Sequence, residues 1–197
     1  MKAIQVRSTG GPEVLDLRTL PDPAPRTAEV LVRVHTSGVN FIDVYYREGK
    51  YKAPLPFIPG GEGWGHVEAL GEAVTDFSVG DSVAWWGPLG SYAEKAIVAA
   101  TTLVKVPSGV DLQSAAALMM QGATAYYLSH LTFDLKPGNT ALVHAAAGGV
   151  GFLLTQMAKR VGATVIATAS TPKKAELARE LAQTKSFSTL KQNLTKK

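Results

Sequence analysis

The sequence predicts a mixed α/β protein in which a β-rich first part is followed by a short parallel sheet. Before residue 110, short apolar segments are separated by glycine and proline turns, a pattern typical of a small barrel or sandwich. From residue 140 onward, apolar strand segments alternate with helical segments, and this order favours parallel pairing. The 46% hydrophobic content of the 197 residues is sufficient for a substantial core.

The β-rich part contains seven predicted strands. In one of them Val30, Val32 and Val34 alternate with Leu31 and polar neighbours, the two-residue period of a half-buried strand. Glycine and proline residues mark the turns between strands. The predicted strands cover residues 2–6, 14–20, 29–36, 65–70, 82–86, 92–98 and 103–106.

The second part begins with a predicted helix that Asp111 can cap and that runs to about Met120. Gly122 either ends this helix or lets it pack closely against another helix. Residues 142–146 and 164–169 follow as strands, with a helix at 150–161 between them. Thr171 and Pro172 start a last helix, because proline at the first helical position loses no hydrogen bond. Its predicted inner stripe comprises Ala175, Ala178, Leu181 and Ala182.

The predicted organisation is therefore a β-rich domain at residues 1–121, a partial nucleotide-type domain at 122–183 and a polar, lysine-rich tail at 184–197 without a third clear strand. A parallel sheet of two strands would leave both faces and one edge open.

Composition excludes several classes of protein. The net charge is +4, but residues 183–197 carry four lysines and no acid, and the remainder has sixteen basic and sixteen acidic residues, so we expect no nucleic-acid binding. Without cysteine there is no disulfide and no thiolate metal site. Residues 140–158 lack charged side chains, but His144, Gln156 and a glycine pair argue against a membrane span. We expect a cytoplasmic protein.

A glycine turn joins the strand before residue 147 to the helix that follows it. Residues 146–151 read AxGxxG, with alanine in place of the first glycine of the dinucleotide fingerprint. Two glycines permit close approach of the backbone to a diphosphate, and the last permits close packing of helix and strand. Amides at the helix start would then bind the anion. The predicted cofactor-binding residues are Ala146, Gly148, Gly149, Val150 and Gly151.

The end of the second strand bears on which nucleotide binds. For NAD, an acid about 20 residues beyond the turn binds the ribose 2′-hydroxyl. This sequence offers Ser170, Thr171, Lys173 and Lys174, and hydroxyls and amines suit a 2′-phosphate, which favours NADPH. The alternative is that both lysines are only solvent-exposed side chains in the first turn of the helix and bind no phosphate.

Four motifs in the same order resemble a known family. They are GVNFIDVYYREG (38–49), IPGGEGWGHVEALGEAV (58–74), DFSVGDSVA (76–84) and HAAAGGVG (144–151). The chain resembles the quinone oxidoreductase branch of the zinc-free medium-chain dehydrogenase/reductase superfamily, the group that includes zeta-crystallin. The resemblance implies a GroES-like barrel domain, a Rossmann-like NADPH domain and a cleft between them, and usually a homodimer.

The resemblance also implies roles for individual residues. Asn40 matches the asparagine beside the nicotinamide, Tyr45 the tyrosine of the quinone pocket, and Asp43 the acid between them. Thr124 matches a nicotinamide contact, and Ser170 with Lys174 matches the 2′-phosphate positions. In the zinc-dependent relatives of this superfamily a cysteine stands at the place of Asn40 and a histidine at that of Gly61, so we expect no metal. From spacing alone, Tyr45 and Tyr46 fit ordinary packing, and Trp85 and Trp86 fit a core or cleft wall.

The implied activity is zinc-independent hydride transfer from NADPH to a quinone or an enone, with Asn40 and Tyr45 holding the acceptor. Nothing after Gln183 resembles the continuation that family members have, which includes the usual dimer edge, so the sequence indicates a C-terminally truncated member. Two alternatives stay open: a catalytically silent barrel domain that binds a partner, and an enoyl-thioester reductase of the same superfamily.

Overall fold

The computed structural model describes residues 1–110, 112–182 and 189–190 of the chain. The chain divides into two compact units, Met1–Met119 and Met120–Lys197. No helix within the described ranges has the length and apolar character to cross a membrane. Asp111, the predicted helix cap, falls outside these ranges, as does most of the predicted tail.

The first unit is built on a five-stranded antiparallel sheet in the order β6-β3-β4-β5-β7. A separate antiparallel pair precedes it, and helix α1 (Phe41–Arg47) lies between β3 and β4 in the chain. The strands are β1 (Lys2–Gln5), β2 (Asp16–Thr19), β3 (Glu29–Ser37), β4 (Glu62–Leu70), β5 (Ser82–Trp86), β6 (Lys95–Ala99) and β7 (Leu103–Lys105).

The core of this unit lies on one face of the five-stranded sheet. Val30 and Val32 are fully buried, as the alternating pattern predicts, but Leu31 is only 6% exposed as well. The register of β3 against β4 shifts after Leu31, where β4 contains the extra residue Glu68, so Val30 and Val32 remain in one core cluster. The buried cluster comprises Val30, Val32, Val67, Val83, Trp85, Ala96, Val98 and Leu103.

Strand β4 begins at Glu62, three residues before the predicted start, although Gly63 and Gly65 weaken the strand pattern. These glycines are needed for contact rather than for turning. A Cβ built at Gly65 would lie 2.0 Å from the Arg33 carbonyl oxygen, and one at Gly63 would lie 2.6 Å from the Trp85 ring. Close approach of neighbouring strand and side-chain atoms therefore explains the glycines.

The second unit contains a three-stranded parallel sheet in the order β10-β9-β8. Its elements are β8 (Thr140–Val143), α3 (Gly149–Val161), β9 (Thr164–Thr168), α4 (Pro172–Ala182) and β10 (Thr189–Leu190). The predicted α/β class, with a β-rich part followed by a partial Rossmann-like parallel sheet, is confirmed. Helix α3 ends at Gly162, whose φ of +89° is the left-handed conformation that glycine favours.

Two predictions for this part of the chain were wrong. The helix predicted to run to about Met120 is longer: α2 (Leu112–Tyr126) passes through Gly122 and continues into a π-helical turn, Tyr127–Thr132. Gly122 does not adopt the positive φ of a helix end, and its alternative role in close packing stays a prediction. A third strand does follow α4: Thr189–Leu190 pairs in parallel with β9. The third strand pairs with main-chain groups at the edge of β9, and a side-chain pattern does not predict such pairing.

The core of the second unit is made largely of small side chains. Ala175 and Ala178 of α4 are buried, as the predicted inner stripe requires, and Leu181 is half-buried. The side chain of Ala182 falls outside the described part. Small residues let helices approach the sheet closely. The buried cluster comprises Leu135, Val143, Ala146, Ala158, Ala163, Val165, Ala167 and Ala178.

Neighbouring tryptophans on β5 provide a test of the core of the first unit. Trp85 is 1% exposed and belongs to the core cluster, whereas Trp86 is 44% exposed on the opposite side of the strand. We expect Trp85→Ala to lower the free energy of unfolding by about 3–5 kcal/mol, because it leaves a large cavity. Trp86→Ala, the matched control, should cost less than about 1 kcal/mol. Denaturant unfolding followed by circular dichroism measures both, and equal losses would contradict this packing.

Candidate functional site

The glycine turn between β8 and α3 is tied to the end of β9. The Ala145 amide donates to Thr168 Oγ1 at 3.1 Å, and the Ala146 amide donates to the Thr168 carbonyl oxygen at 3.1 Å. Ala145 has a φ of +50°, an uncommon conformation for a residue with a side chain. Two main-chain hydrogen bonds to one residue of β9 hold the turn in this shape. Its amides are therefore presented by a constrained backbone.

The first turn of α3 presents several main-chain amides. Gly148 is the N-cap: its amide donates to the Ala145 carbonyl oxygen at 2.7 Å, and its own carbonyl accepts from Phe152 at 2.7 Å. The amides of Gly149, Val150 and Gly151 have no hydrogen-bond acceptor within the described ranges. Gly148 and Gly149 are exposed, and Val150 is partly exposed. Amides of this kind, together with the positive end of the helix dipole, are suited to bind an anion such as a diphosphate.

The glycines of this turn are required for different structural reasons. A Cβ at Gly151 would lie 2.3 Å from the Ala145 carbonyl oxygen and 2.8 Å from Ala146 Cα, so α3 packs directly on the turn. A Cβ at Gly149 would lie 2.7 Å from the Gln121 side chain. A Cβ built at Gly148 would lie 3.1 Å from the Ala145 carbonyl oxygen, a tight contact, and 3.9 Å from Ala145 Cβ. The absence of a side chain at Gly148 therefore leaves its exposed backbone accessible to a ligand.

The end of β9 leads into the start of α4. Thr171 caps this helix: its Oγ1 accepts from the Lys174 amide at 3.3 Å, and its carbonyl accepts from the Ala175 amide at 2.9 Å. Ser170, Lys173 and Lys174 are exposed. The predicted 2′-phosphate residues Ser170 and Lys174 thus flank one helix start, and the Thr171 hydroxyl is used as a cap.

A cavity of about 290 Å³ lies beside this helix start. Sequence reasoning found Ser170 at this site but missed Glu176 and Arg179, whose Oε2 and Nη1 atoms are 2.9 Å apart. A signal was available, because Pro172, Glu176 and Arg179 follow the helical spacing of one face. Lys174 is not among the residues that line the cavity, which are Ala169, Ser170, Thr171, Pro172, Ala175, Glu176 and Arg179.

Thr124 lies within α2, where it is partly buried. Its Oγ1 donates to the Met120 carbonyl oxygen at 2.7 Å. The hydroxyl proton is committed to this bond inside the helix, and the oxygen can still accept a hydrogen bond. The nicotinamide contact assigned to Thr124 by resemblance stays a prediction.

In the first unit, Asn40 is held between a helix start and a buried acid. It is the N-cap of α1 and forms a capping box with Asp43, whose Oδ2 accepts from the Asn40 amide at 2.9 Å. Its side-chain Nδ2 donates to Glu62 Oε2 at 2.8 Å. Glu62 is fully buried. The carboxamide of Asn40 is therefore oriented before any ligand binds, and sequence reasoning missed Glu62 as the residue that orients it.

Asp43 joins α1 to a tyrosine in the loop before β6. Its carboxylate is 5% exposed, and Oδ2 also accepts from the Tyr92 hydroxyl at 2.9 Å. Oδ1 is buried without a hydrogen-bond partner among the described residues. Burial raises the pKa of the Tyr92 hydroxyl far above its ordinary value of 10.0, and the nearby Asp43 charge and hydrogen bond raise it further. The Tyr92 hydroxyl is therefore protonated and donates to Asp43 throughout the neutral pH range.

Tyr45 projects from α1 with 36% of its surface exposed. Its ring contacts that of Tyr51 edge to face at 5.5 Å, and the Tyr51 amide donates to the Tyr45 carbonyl oxygen at 3.1 Å. Lys50 Nζ lies 5.5 Å from the centre of the Tyr45 ring. The aromatic contact holds the ring while part of the side chain remains open to solvent. Only the fold brings Tyr51 to this position, since α1 ends between the two tyrosines.

The structure brings together two histidines that looked scattered in the sequence. The rings of His35 and His66 on neighbouring strands are 4.9 Å apart, and both contact the ring of Trp64. Within the described ranges, no group of three or more histidine, aspartate or glutamate side chains is arranged to hold a metal ion.

Gly151→Ala tests the packing of α3 on the glycine turn. We expect it to lower the stability of the protein by about 1–3 kcal/mol, because the new methyl group would meet backbone atoms that cannot move aside. Gly148→Ala is the control: the φ of −89° suits alanine, and the cost should be below about 1 kcal/mol. Thermal unfolding compares the two. Equal stability of both variants would contradict the close approach.

Tyr92→Phe tests the pairing with Asp43. Because the Tyr92 pKa is raised on folding, its contribution to stability is complete below the ordinary pKa of 10.0 and is lost as pH rises above that value. At neutral pH the variant should be about 1–3 kcal/mol less stable than the unmodified protein, the worth of a hydrogen bond to a charged group. When the pH is raised from neutral to about 11, the stability of the variant should fall less than that of the unmodified protein. Urea unfolding at both pH values measures this. Tyr127→Phe, at an exposed position, should reproduce the unmodified profile.

Comparison with known proteins is consistent with this geometry. Residues 26–108 match the alcohol dehydrogenase GroES-like domain. The chain is 50% identical to a quinone oxidoreductase of Pseudomonas aeruginosa over 181 residues, which cover 91% of this chain and 56% of the relative. It is 41% identical to a 2-haloacrylate reductase of a Burkholderia species, covering 91% of this chain and 56% of that protein.

Solved structures give the same result. The crystal structure of an Escherichia coli quinone oxidoreductase complexed with NADPH superposes with a TM-score of 0.89 at 37% identity, covering 92% of this chain and 56% of that one. The chain thus spans a little over half the length of the relatives it matches. With the antiparallel sheet, the parallel sheet and the glycine turn, these matches show that the chain carries the alcohol dehydrogenase GroES-like domain at residues 26–108 and is similar, over about nine-tenths of its own length, to quinone oxidoreductases.

Proposed function

We propose that this chain carries the NADPH-binding turn and the acceptor-binding residues of an NADPH-dependent quinone oxidoreductase. The observation that carries the proposal is the first turn of α3, where the Gly149, Val150 and Gly151 amides have no acceptor among the described residues and where Gly148 and Gly149 are exposed. The relative solved with NADPH supports the choice of cofactor.

The proposed binding roles follow from the side chains and amides already described. The Gly149 and Val150 amides hold the diphosphate, with Gly148 permitting its approach. Ser170 and Lys174 bind the 2′-phosphate as donors. Two-electron reduction of a quinone to a hydroquinone takes one proton and one hydride, and NADPH supplies the hydride when bound.

The acceptor is held, in this proposal, by Asn40 and Tyr45. The Tyr45 hydroxyl donates to an acceptor carbonyl oxygen, which gains negative charge as the hydride arrives. Asn40 contributes an oriented carboxamide because Glu62 and the α1 capping box fix its position. The geometry offers positioning and hydrogen bonding, which is sufficient when the cofactor performs the difficult step.

One relative supports a second class of acceptor. A 2-haloacrylate is an electron-poor alkene conjugated to a carboxylate, and the reductase named for it is 41% identical to this chain. An enone or enoyl-type acceptor uses the same hydride chemistry. The alternative from another class is a catalytically silent binding module, and the binding and turnover assays below distinguish it from an enzyme.

Tyr45→Phe tests the proposed role, with Tyr46→Phe as the matched control on the same helix. In steady-state assays of NADPH oxidation, run in parallel with a small quinone, an enone and 2-chloroacrylate, we expect saturable turnover. Tyr45→Phe should lower kcat/KM by about three- to tenfold, the worth of one neutral hydrogen bond, and Tyr46→Phe should change it less than about twofold.

NADPH binding by this chain is measured separately by fluorescence titration. Binding without turnover of any acceptor would favour the silent module over the enzyme. Absence of both binding and turnover would overturn the proposed function.

A further inference from the structure

The cavity beside the start of α4 contains one acid and one base with opposite preferences for a ligand. Pro172, Glu176 and Arg179 lie along one face of the helix, and Ser170 lies where β9 leads into it. At about 290 Å³ the cavity is close to the lower limit of typical small-molecule sites, about 300 Å³. It is therefore large enough for part of a nucleotide rather than for a whole one.

The two charged residues are paired with each other. Arg179 Nη1 lies 2.9 Å from Glu176 Oε2, three residues apart on the helix. Their side chains are 51% and 63% exposed. Exposed ion pairs of this kind contribute little to stability, because solvent screens the attraction and both side chains lose freedom. The pair can open at small cost when a ligand offers either side chain a better partner.

The ribose 2′ position offers such partners, and they differ between the two nicotinamide cofactors. A 2′-hydroxyl donates a hydrogen bond, which a carboxylate accepts. A 2′-phosphate has only acceptor oxygens and negative charge, which a guanidinium binds and a carboxylate repels. Side chains in a helix point toward its N-terminus, so Glu176 and Arg179 extend toward Ser170 and the end of β9.

We propose that Glu176 and Arg179 are a pair of opposed specificity determinants, in which Arg179 favours NADPH and Glu176 favours NADH. This inference rests on the proposed dinucleotide function. With NADPH, Arg179 leaves Glu176 and binds the 2′-phosphate beside Ser170. With NADH, Glu176 accepts from the 2′-hydroxyl while its other oxygen stays with Arg179. The chain consequently binds both cofactors and prefers NADPH, because the bond between Arg179 and a phosphate is assisted by charge on both partners.

The measurement is the ratio of the dissociation constants for NADH and NADPH, obtained by fluorescence titration of the purified full chain. Glu176→Gln should shift this ratio toward NADPH by about fivefold, since it removes a like charge near the phosphate and replaces the carboxylate that accepts from the 2′-hydroxyl by a weaker, neutral amide acceptor. Arg179→Gln should shift it toward NADH by about tenfold, since it removes a charge-assisted hydrogen bond to the phosphate. Shifts of this ratio in opposite directions from the two substitutions are the result that the proposed opposed roles predict.

Matched controls neutralise exposed charges elsewhere. Glu180→Gln on α4 and Arg160→Gln on α3 remove the same charges from residues that do not line the cavity, and each should leave the ratio within twofold. Thermal unfolding of all variants verifies that the second unit is intact.

The outcomes separate this inference from the proposed function. If the unmodified chain binds neither cofactor, the proposed function fails and the inference fails with it. If the chain binds NADPH and both cavity variants leave the ratio unchanged, or shift it in the same direction, the proposed function stands and the opposed roles of Glu176 and Arg179 are wrong.

Discussion

The contact between α3 and the turn before it determines how the candidate cofactor site is formed. Gly151 lies so close to the Ala145 carbonyl oxygen that a single added carbon has no room. This closeness brings the start of α3 to the end of β8, while Thr168 holds the turn through two main-chain amides. The helix is held there by this contact, and the amides of its first turn have no acceptor among the described residues. An anion site at this place depends on packing inside the unit rather than on any charged side chain.

The proposed acceptor site in the first unit is based on a different physical principle. Two buried acids, Asp43 and Glu62, flank Asn40 and each hold a part of it. Burying carboxylates costs free energy unless they are hydrogen-bonded, so their presence in a small unit points to a requirement other than stability. The consequence is an asparagine with little freedom. A residue that is already oriented loses less entropy on binding a ligand than one on a mobile loop.

The second unit combines a small-residue core with a short parallel sheet. Alanines allow α3 and α4 to approach the parallel strands, and the short β10 covers part of the β9 edge. The cavity that contains Glu176 and Arg179 lies beside the start of α4. The helix that covers the sheet therefore also carries the charged side chains of the proposed ligand site.

Much of the fold could be predicted from local patterns. The alternating valines of β3, the cap formed by Thr171 and Pro172, and the glycine turn at 146–151 each follow from backbone geometry within a few residues. The early start of β4 could not be predicted, because Gly63 and Gly65 are explained only by atoms of neighbouring strands. The passage of α2 through Gly122 and the short β10 likewise depend on context beyond the local sequence.

By itself, the sequence determined the α/β class, the strand-turn-helix of the candidate phosphate site and the resemblance to quinone oxidoreductases, since periodicity and ordered motifs are properties of the chain. Only the tertiary structure decided which side chains support those motifs. Glu62 accepts a hydrogen bond from Asn40, 22 positions away in the chain, and Asp43 accepts one from Tyr92, 49 positions away. Glu176 and Arg179 are near in sequence, but only the structure shows that both line a cavity. Hydrogen bonds and charges act through distances in space, and folding alone sets those distances for residues far apart in the chain.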